Sequence, residues 1–413
     1  IVGAGQSGLQ LATNLLDTPG VEAALFTDRT AEAVAAGPLM ATAIMFQNKR
    51  EVEARSGVDF SGLEAKSVRG IHFEMRDPDG GLALSFGAPF SDGPGVALDF
   101  RLKFPGWMAE YERRGGRLVT REIAKGDLEE LADDFDLVVV ASGKGGLSGL
   151  FPRNADRSPP YAQPMRHITA AVIDRDLSLS DMAITIVPGE AEIVLLPILG
   201  SNGARSTAIL VFAHPGSASH GRFNQLKGAK SVLQMALDYA IRYCPNYADE
   251  LRGAALVDEL AFLRGAFTPV VRDPVGRLPS GASVMGTSDS LTLVDPISGN
   301  GLNNAVVMTD ILARRIAAKA DADFDEGWMN SVFDEFWEYG RDVFAFMRAL
   351  LEQPPHFSDA VVGAARDARL ASAIVNGYPD PVSFARESRK WDTAPAQTCF
   401  RSELREQRCE KVA

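Results

Sequence analysis

The chain has 413 residues, of which 46% are hydrophobic and 23% are charged, so it can bury a sizeable core and is not mainly disordered. Its formal net charge of -12 repels nucleic acid and anionic lipid, and we expect neither nucleic acid nor a membrane as a partner. Three cysteines and five scattered histidines show no metal-ligand spacing and no disulfide framework. We therefore expect a cytoplasmic protein without a bound metal.

The N-terminal part of the chain predicts a strand, a glycine-rich turn, a helix and a second strand. Ile1 and Val2 lead into Gly3-Ala-Gly-Gln-Ser-Gly8. Residues 9–16 then carry apolar side chains at helical spacing, and residues 21–26 have the composition of a strand. This is the order of elements in a βαβ unit.

Further along, helix and strand patterns alternate and then give way to a run of strands. The predicted helices lie at 48–55, 100–114, 128–134, 231–243 and 303–319, and the predicted strands at 70–76, 82–86, 117–120, 137–141, 168–173, 182–187, 193–199, 207–212 and 284–286. Short turns separate the four strands between 168 and 212, which predicts an antiparallel sheet. The first pattern resumes near residue 284, so we expect one domain to be inserted into another. The remainder is predicted to be helical, down to a charged tail.

The glycine-rich turn is the clearest chemical signal in the chain. Gly3 permits a tight turn, Gly5 lets the backbone approach a pyrophosphate, and Gly8 lets the helix pack closely on its strand. The start of the helix attracts phosphates, and Asp28, at the end of the second strand, is placed to accept hydrogen bonds from a ribose. A glycine-rich turn without a ligand is the alternative, which this context disfavours. The pattern predicts a dinucleotide site and leaves FAD and NAD open.

A second glycine-rich segment lies near residue 300. A predicted strand delivers Asp289, and Asp295-Pro-Ile-Ser-Gly-Asn-Gly301 then precedes a long helix. In FAD enzymes of the aromatic-hydroxylase fold, an acid at this place holds the ribityl or ribose region and the helix start faces the flavin pyrimidine. The positive end of a helix stabilises the negative charge that reduced flavin carries near that edge. A solvated aspartate beside a capped helix is the alternative for this segment alone.

Three further residues are weaker candidates. Arg101 is predicted at the start of a helix, from which it can reach flavin phosphate or the ring edge, and a surface salt bridge is a serious alternative. His72 could line a substrate pocket, although a partly buried, hydrogen-bonded histidine is the commoner environment. Phe46 could line the same pocket or belong to the core. No Trp-x-Trp sequence occurs in the chain, which argues against a flavin-dependent halogenase.

Several segments together resemble the oxygenase component of styrene monooxygenase and its indole monooxygenase relatives, which are two-component flavoprotein monooxygenases. The matching segments are Ile1-Val-Gly-Ala-Gly-Gln-Ser-Gly-Leu9, Thr27-Asp-Arg29, Asp99-Phe-Arg-Leu102, Glu112-Arg-Arg-Gly-Gly116, Asp136-Leu-Val-Val-Val140, Gly143-Lys144, Val294-Asp-Pro-Ile-Ser-Gly-Asn-Gly301, Gly377-Tyr-Pro379 and Trp391-Asp392. They span nearly the whole chain in the expected order, so they are more specific than the glycine turn alone.

The resemblance implies an α/β fold of three parts. A glutathione-reductase-type, Rossmann-like FAD-binding domain carries an inserted antiparallel β-sheet substrate domain and C-terminal helices. On this division, the FAD-binding domain consists of 1–70, 96–158 and 268–320, the substrate-binding domain of 71–95 and 159–267, and the C-terminal helical region of 321–413.

The resemblance also implies a reaction. A separate NADH-dependent flavin reductase supplies reduced, diffusible FAD, and O2 is the co-substrate. The resulting C4a-hydroperoxide transfers one oxygen atom to a small aromatic or vinyl-aromatic substrate, by styrene epoxidation, indole oxygenation or sulfoxidation, with no catalytic acid or base assigned. The segment 141–147 lacks the Asp-Gly element that helps single-component hydroxylases hold nicotinamide, so we expect no nicotinamide here. A homodimer is left open.

The motifs and the resemblance together define the predicted site. The residues assigned to the flavin are Gly3, Gly5, Gly8, Asp28, Arg29, Arg101, Asp289, Pro296, Gly299, Asn300 and Gly301. The residues assigned to the substrate pocket are Leu39, Met40, Phe46, His72, Pro296 and Ile297.

The chain departs from the family pattern at several of these positions. Leu39 and Met40 stand where the family has an Asn-Thr pair beside the flavin. Ser288 replaces a small residue, glycine, and Asn300 replaces glutamine. Two alternatives therefore stay open: an FAD-dependent oxidoreductase that does not transfer oxygen, and an inactive homologue that binds flavin or product.

Overall fold

The computed structural model describes residues 1–58, 60, 62–143, 145–319 and 323–392. The strands are β1 (Ala24–Thr27), β2 (Ile44–Met45), β3 (Gly70–Arg76), β4 (Leu82–Pro89), β5 (Val96–Ala97), β6 (Arg117–Thr120), β7 (Val139–Val140), β8 (His167–Ile173), β9 (Met182–Val187), β10 (Ala191–Leu199), β11 (Arg205–Ala213), β12 (Phe262–Gly265), β13 (Val270–Val271), β14 (Val275–Arg277), β15 (Ser283–Gly286) and β16 (Thr292–Leu293). The strand predictions are confirmed to within a few residues at each end, except 137–141, of which only the last part is paired as β7.

The helices also follow the predicted pattern closely. They are α1 (Gln6–Leu15), α2 (Ala31–Ala35), α3 (Gln47–Glu53), α4 (Phe100–Arg113), α5 (Asp127–Asp134), α6 (Ala218–Phe223), α7 (Ala229–Tyr243), α8 (Ala248–Leu251), α9 (Gly301–Ala317), α10 (Glu326–Glu352), α11 (Pro355–Ala364), α12 (Ala368–Asn376) and α13 (Pro381–Asp392). Short 3₁₀ turns include Ser288–Ser290 and Pro296–Ser298. The predicted tail at 393–413 lies outside the described residues.

A parallel sheet holds the first glycine turn. β6 pairs with β1, Val2 bridges β1 and β7, and β7 pairs with β15, all in parallel, while β14 lies antiparallel on the β15 edge. The first strand of the predicted βαβ unit is thus present as the bridging residue Val2. Leu9, Leu11 and Leu25 are completely buried between α1 and its surroundings, and each contributes about 1.5–3 kcal/mol of hydrophobic stabilisation.

A larger sheet of seven strands lies beside it. The strand order is β12-β8-β11-β10-β9-β3-β4. The four strands predicted between 168 and 212 are paired antiparallel, as predicted. β3 and β9 are parallel, so the antiparallel substrate sheet that the resemblance implied is wrong for this one pair. β3 and β4 reach the sheet from a distant part of the chain, so no hairpin sets the direction of β3 against β9.

The large sheet is covered on both faces. The outer face packs against α7 through Ile193, Leu195, Ile209, Val211, Val232 and Met235. The inner face belongs to the main core and carries Ile71, Phe73, Val194, Leu196, Ile198 and Leu210. This core also includes residues of the parallel sheet and of the C-terminal helices, so the inner face is where the three parts of the chain meet.

The C-terminal helices complete the core. Phe333, Phe336, Phe344 and Phe346 on α10 are 0–4% exposed and pack in the core. Among the described residues, no helix has both the length and the apolar character needed to cross a membrane. The predicted α/β fold class, with a large sheet and C-terminal helices, is confirmed. The domain boundaries given above remain our division of the chain.

Candidate cofactor and substrate site

The start of α1 leaves space in front of its first turn. Gly3 has φ of 110°, and a Cβ built on it would lie 2.7 Å from the carbonyl oxygen of Ala141. A Cβ built on Gly8 would lie 1.7 Å from the carbonyl oxygen of Gly3, so the helix and the turn touch directly. Among the described residues, none places a heavy atom within 4 Å of a Cβ built on Gly5. Since no side chain caps α1, its positive end faces this open space.

The start of α9 forms a second glycine-rich turn. Asp295 accepts a hydrogen bond at Oδ1 from the backbone N–H of Ile297, at 3.0 Å. Gly299 has φ of 64°, in the left-handed region that favours glycine. The side chain of Asn300 donates to the carbonyl oxygen of Ser298 at 2.8 Å and leaves the helix start without a side-chain cap. A second positive helix end is therefore available.

Asn303 attaches the second turn to β2. Its Oδ1 accepts from the backbone N–H of Phe46 at 3.1 Å. Its Nδ2 donates to the carbonyl oxygens of Ile44 and Gly299, at 3.0 and 2.8 Å. The residue is completely buried, so these hydrogen bonds fix Phe46 relative to the start of α9. No role is predicted for this asparagine from the sequence.

An aromatic wall lies between the second turn and the inner face of the large sheet. It consists of Phe46, Phe73, Phe86, Phe90 and Tyr378. A Cβ built on Gly299 would lie 3.6 Å from Tyr378 and 3.7 Å from Phe46. Phe73 stacks on Phe86 with ring centroids 5.0 Å apart, and Phe46 meets Phe90 edge to face at 5.3 Å. The structure thus brings the predicted Phe46 and Gly299 together and adds Tyr378 from the C-terminal region.

Several buried polar atoms near the two helix starts have no hydrogen-bond partner among the described residues. They are Ser7 Oγ, Thr287 Oγ1, Asn300 Oδ1, Asn304 Oδ1 and Asn304 Nδ2. Such atoms cost free energy when they stay unpaired, and a polar ligand at this place would satisfy them. The residues that carry these atoms lie either just after a parallel strand or in the first turns of α1 and α9. Dinucleotides bind at such places in folds of this type. The residues present therefore fit a dinucleotide.

The two predicted acids follow the carboxyl ends of parallel strands. Asp28 follows β1, its side chain is 61% exposed, and one carboxyl oxygen lies 3.6 Å from Nε of Arg29. Asp289 lies in the turn after β15 and is half-buried. The preceding Ser288 has φ of 56°, a left-handed conformation that glycine adopts more easily. Serine therefore holds this left-handed backbone at the cost of local strain.

Arg101 is neither exposed nor turned toward an open site. Its guanidinium makes a bidentate ion pair with Asp99, with the shortest N–O distance at 2.7 Å, and contacts Asp258 at 2.9 Å. Its side chain is only 2% exposed. The structure agrees with neither alternative from the sequence. Arg101 belongs to a buried salt bridge instead of a surface one, and most of its guanidinium N–H donors are occupied.

Leu39, Met40 and His72 do not gather at one place. Leu39 is buried in the main core, whereas Met40 lies against Arg29, with its sulfur 3.9 Å from the guanidinium. His72 is 46% exposed and contacts Ser85 Oγ at 3.3 Å on the face of β3 opposite to Ile71 and Phe73. Because strand side chains alternate between faces, His72 cannot line the inner face, and its assignment to the pocket is wrong.

A cavity of about 210 Å³ opens beside the two helix starts. Its lining includes Met45, Arg50, Glu53, Lys103 and Leu302. Lys103 lies 2.5 Å from Glu53 Oε1 and 3.0 Å from Gln6 Oε1. Burial lowers the pKa of Lys103, and the Glu53 carboxylate counteracts this effect. Neither Glu53 nor Lys103 is predicted from the sequence as part of the site, although Lys103 shares the helical face of Phe100, Phe104 and Trp107.

Asp295 is the buried acid nearest to the second turn in sequence. It is 1% exposed, and burial raises the pKa of Asp295 to about 6. The nearby Arg166 opposes this rise and Glu192 adds to it, and these two residues form a buried ion pair at 2.7 Å on the large sheet. The carboxyl group can therefore hold a proton up to about pH 6.

The chain is similar in sequence and in fold to known flavoenzymes. Residues 143–250 match the family described as "Styrene monooxygenase A putative substrate binding domain". Over 403 residues the chain is 26% identical to styrene monooxygenase StyA of Pseudomonas fluorescens. The match covers 95% of this chain and 94% of that protein.

Solved structures show the same fold at low identity. The flavin-dependent halogenase CmlS has a TM-score of 0.62 and 11% identity, and the match covers 98% of this chain and 69% of that chain. Aklavinone-11 hydroxylase, solved with FAD and aklavinone, has a TM-score of 0.56 and 18% identity, and the match covers 84% of this chain and 68% of that chain. The chain therefore has the fold of FAD-binding flavoenzymes, and its sequence is similar to styrene monooxygenase.

Proposed function

We propose that this chain is the oxygenase component of a two-component FAD-dependent monooxygenase that acts on a small aromatic or vinyl-aromatic substrate. The observation that carries the proposal is the convergence of two uncapped helix starts with unpaired buried polar atoms beside an aromatic wall. The similarity to styrene monooxygenase along 95% of the chain supports the same reaction class.

The two turns would hold different parts of FAD. The diphosphate would lie at the first turn of α1, which Gly5 keeps open, with Asp28 and Arg29 at the adenosine end. Asp289 would bind the ribityl chain, and the segment from Pro296 to Gly301 would face the ring. Reduced FAD, when bound, supplies the chemistry that activates O2.

The protein's own residues would exclude water and orient the substrate. A substrate bound beside Gly299 would meet the apolar rings of Phe46 and Tyr378, with Phe73 packed behind Tyr378, and such a place suits an aromatic substrate better than a charged one. Asp295 can keep a proton close to that space, since its carboxyl group is buried. We propose no further acid or base.

A separate NADH-dependent flavin reductase would supply the reduced FAD. The segment after β7, Ala141-Ser-Gly, has no Asp-Gly element for nicotinamide. Accordingly, NADH alone should not bleach oxidised FAD in the presence of this chain. Bleaching at a rate proportional to the concentration of the chain would refute this part of the proposal.

Oxygen transfer can be tested with isotopically labelled O2. The protein is loaded anaerobically with chemically reduced FAD and mixed with buffer containing oxygen-18 gas and styrene, indole or an aryl methyl sulfide. One labelled oxygen atom in the product supports the proposal. Hydrogen peroxide as the only product with every substrate would refute it.

Two further measurements separate the alternatives. Anaerobic bleaching of oxidised FAD by the organic substrate would identify an oxidoreductase that does not transfer oxygen. Tight FAD binding without any turnover would identify an inactive binding homologue.

A further inference from the structure

A chain of four buried polar side chains connects the two turns of the candidate site. Lys103 on α4 donates to Glu53 on α3 and to Gln6 at the start of α1. Gln6 donates to Glu53 at 2.7 Å and to Gln10 Oε1 at 3.3 Å. Gln10 then donates to the carbonyl oxygen of Val306 on α9 at 3.1 Å. We call these four residues the polar chain.

The polar chain is costly to bury. All four residues are at most 7% exposed, and Lys103 also lies against the rings of Phe60 and Trp107, at 5.0 and 5.4 Å. A buried ion pair often contributes no more to stability than apolar side chains of similar size. A contribution to folding stability therefore explains the presence of these buried groups poorly. The way in which they link the helices of the candidate site explains it better.

The polar chain contacts both half-sites, through Gln6 at the first and through the bond from Gln10 to Val306 at the second. Gln6 is the first residue of α1 and follows Gly5 directly, so its side chain fixes the turn that would face the diphosphate. Val306 lies in the second turn of α9, the helix whose first residues would face the flavin ring. Gln10 makes the connection between Gln6 and Val306, while Lys103 and Glu53 hold the Gln6 side chain by hydrogen bonds on its other side.

We propose that the polar chain of Lys103, Glu53, Gln6 and Gln10 sets the spacing between the diphosphate half-site and the ring half-site. This inference rests on the proposed function, because it requires FAD to span both turns. The four residues are positioning residues: they act through the backbone of α1 and α9. A ligand that occupies both half-sites depends on their spacing, whereas a fragment that occupies one does not.

The test compares FAD with its two halves. Dissociation constants for FAD, ADP and riboflavin are measured by calorimetry or by competition with FAD. The variants are the double substitution Glu53→Leu with Lys103→Met, which replaces the ion pair by apolar groups, and the uncharged substitution Gln10→Leu. The matched control is Glu110→Gln with Arg113→Met, which removes an exposed ion pair from the same helix α4. Gln10→Leu keeps the test valid should the double variant not fold.

The expected result is selective. Both variants should weaken FAD binding about tenfold and leave ADP and riboflavin binding within about twofold of the wild type, and the control should change none of the three. A general loss of structure would weaken all three ligands by similar factors, and this result would overturn the inference. Unchanged FAD binding in a folded variant would overturn it as well. Absence of FAD binding in the wild type would instead refute the proposed function.

Discussion

Replacement of Asp295 by asparagine should stabilise the protein at neutral pH and have no effect in acid. The buried carboxyl group has its pKa raised from 3.8 to about 6, with burial as the main cause. In the folded state it therefore binds a proton more tightly than in the unfolded state. Its contribution to stability is fully present below pH 3.8 and is lost as the pH rises through 6.

The magnitude follows from the size of the pKa change. At about 1.36 kcal/mol per pH unit, a rise from 3.8 to about 6 makes the ionised form cost about 3 kcal/mol. Asparagine cannot ionise, and its amide oxygen can still accept the hydrogen bond from the backbone N–H of Ile297. The variant should thus be more stable than the wild type by about 3 kcal/mol at pH 7.5 and equal to it near pH 4.

The measurement is urea unfolding of both proteins between pH 4 and pH 8. The difference between them isolates this group, since the other titrating groups are shared. Asp249→Asn is the control, because that side chain is 99% exposed, and its effect should stay small and constant with pH. A wild type that is the more stable protein at pH 7.5 would refute the reasoning, since it would mean that Arg166 stabilises the ionised carboxylate.

Other expectations concern the turn after β15, the start of α9 and the outer face of the large sheet. Ser288→Gly should raise the free energy of unfolding by about 0.5–1 kcal/mol in urea titrations, because it relieves a left-handed backbone; a loss would argue against the strain. Asn303→Leu should lower the free energy of unfolding by about 3 kcal/mol, since it leaves buried backbone groups at Phe46 and Ile44 unpaired. Asn304→Leu should leave the free energy of unfolding unchanged and weaken FAD binding in calorimetry, because its side-chain amide has no partner among the described residues. His72→Ala should leave substrate turnover within about twofold, and a larger loss would show that this face takes part.

The local elements of this fold could be predicted well from the sequence. The spacing of Gly3, Gly5 and Gly8 after a short strand is tied to one backbone geometry, and the structure shows a steric reason for two of the three glycines. Apolar periodicity likewise located α1, α4 and the strands of the large sheet. Such patterns depend on neighbouring residues only, so they can be recognised without knowledge of the tertiary contacts.

The side-chain environments of the site were harder to predict. Arg101 looked like a residue free to bind a phosphate because Asp258, its second partner, lies far away in the sequence. His72 was assigned to the wrong face, although the apolar neighbours Ile71 and Phe73 already indicated which face was buried. Lys103 was overlooked because a lysine is presumed to be exposed, even on the apolar side of a helix.

The position of Tyr378 in the chain has a consequence for synthesis. The ring packs beside Gly299 and Phe73, and the neighbouring Pro379 carbonyl accepts hydrogen bonds from Asn48 and Lys49 on α3. A ribosome that adds about 5–20 residues per second makes Gly5 and Gly8 roughly 20–75 s before it makes this tyrosine. During that time the nascent chain carries its first glycine-rich turn without the last aromatic ring, so premature termination near residue 370 would release a protein that has both glycine-rich turns and lacks one ring of the aromatic wall.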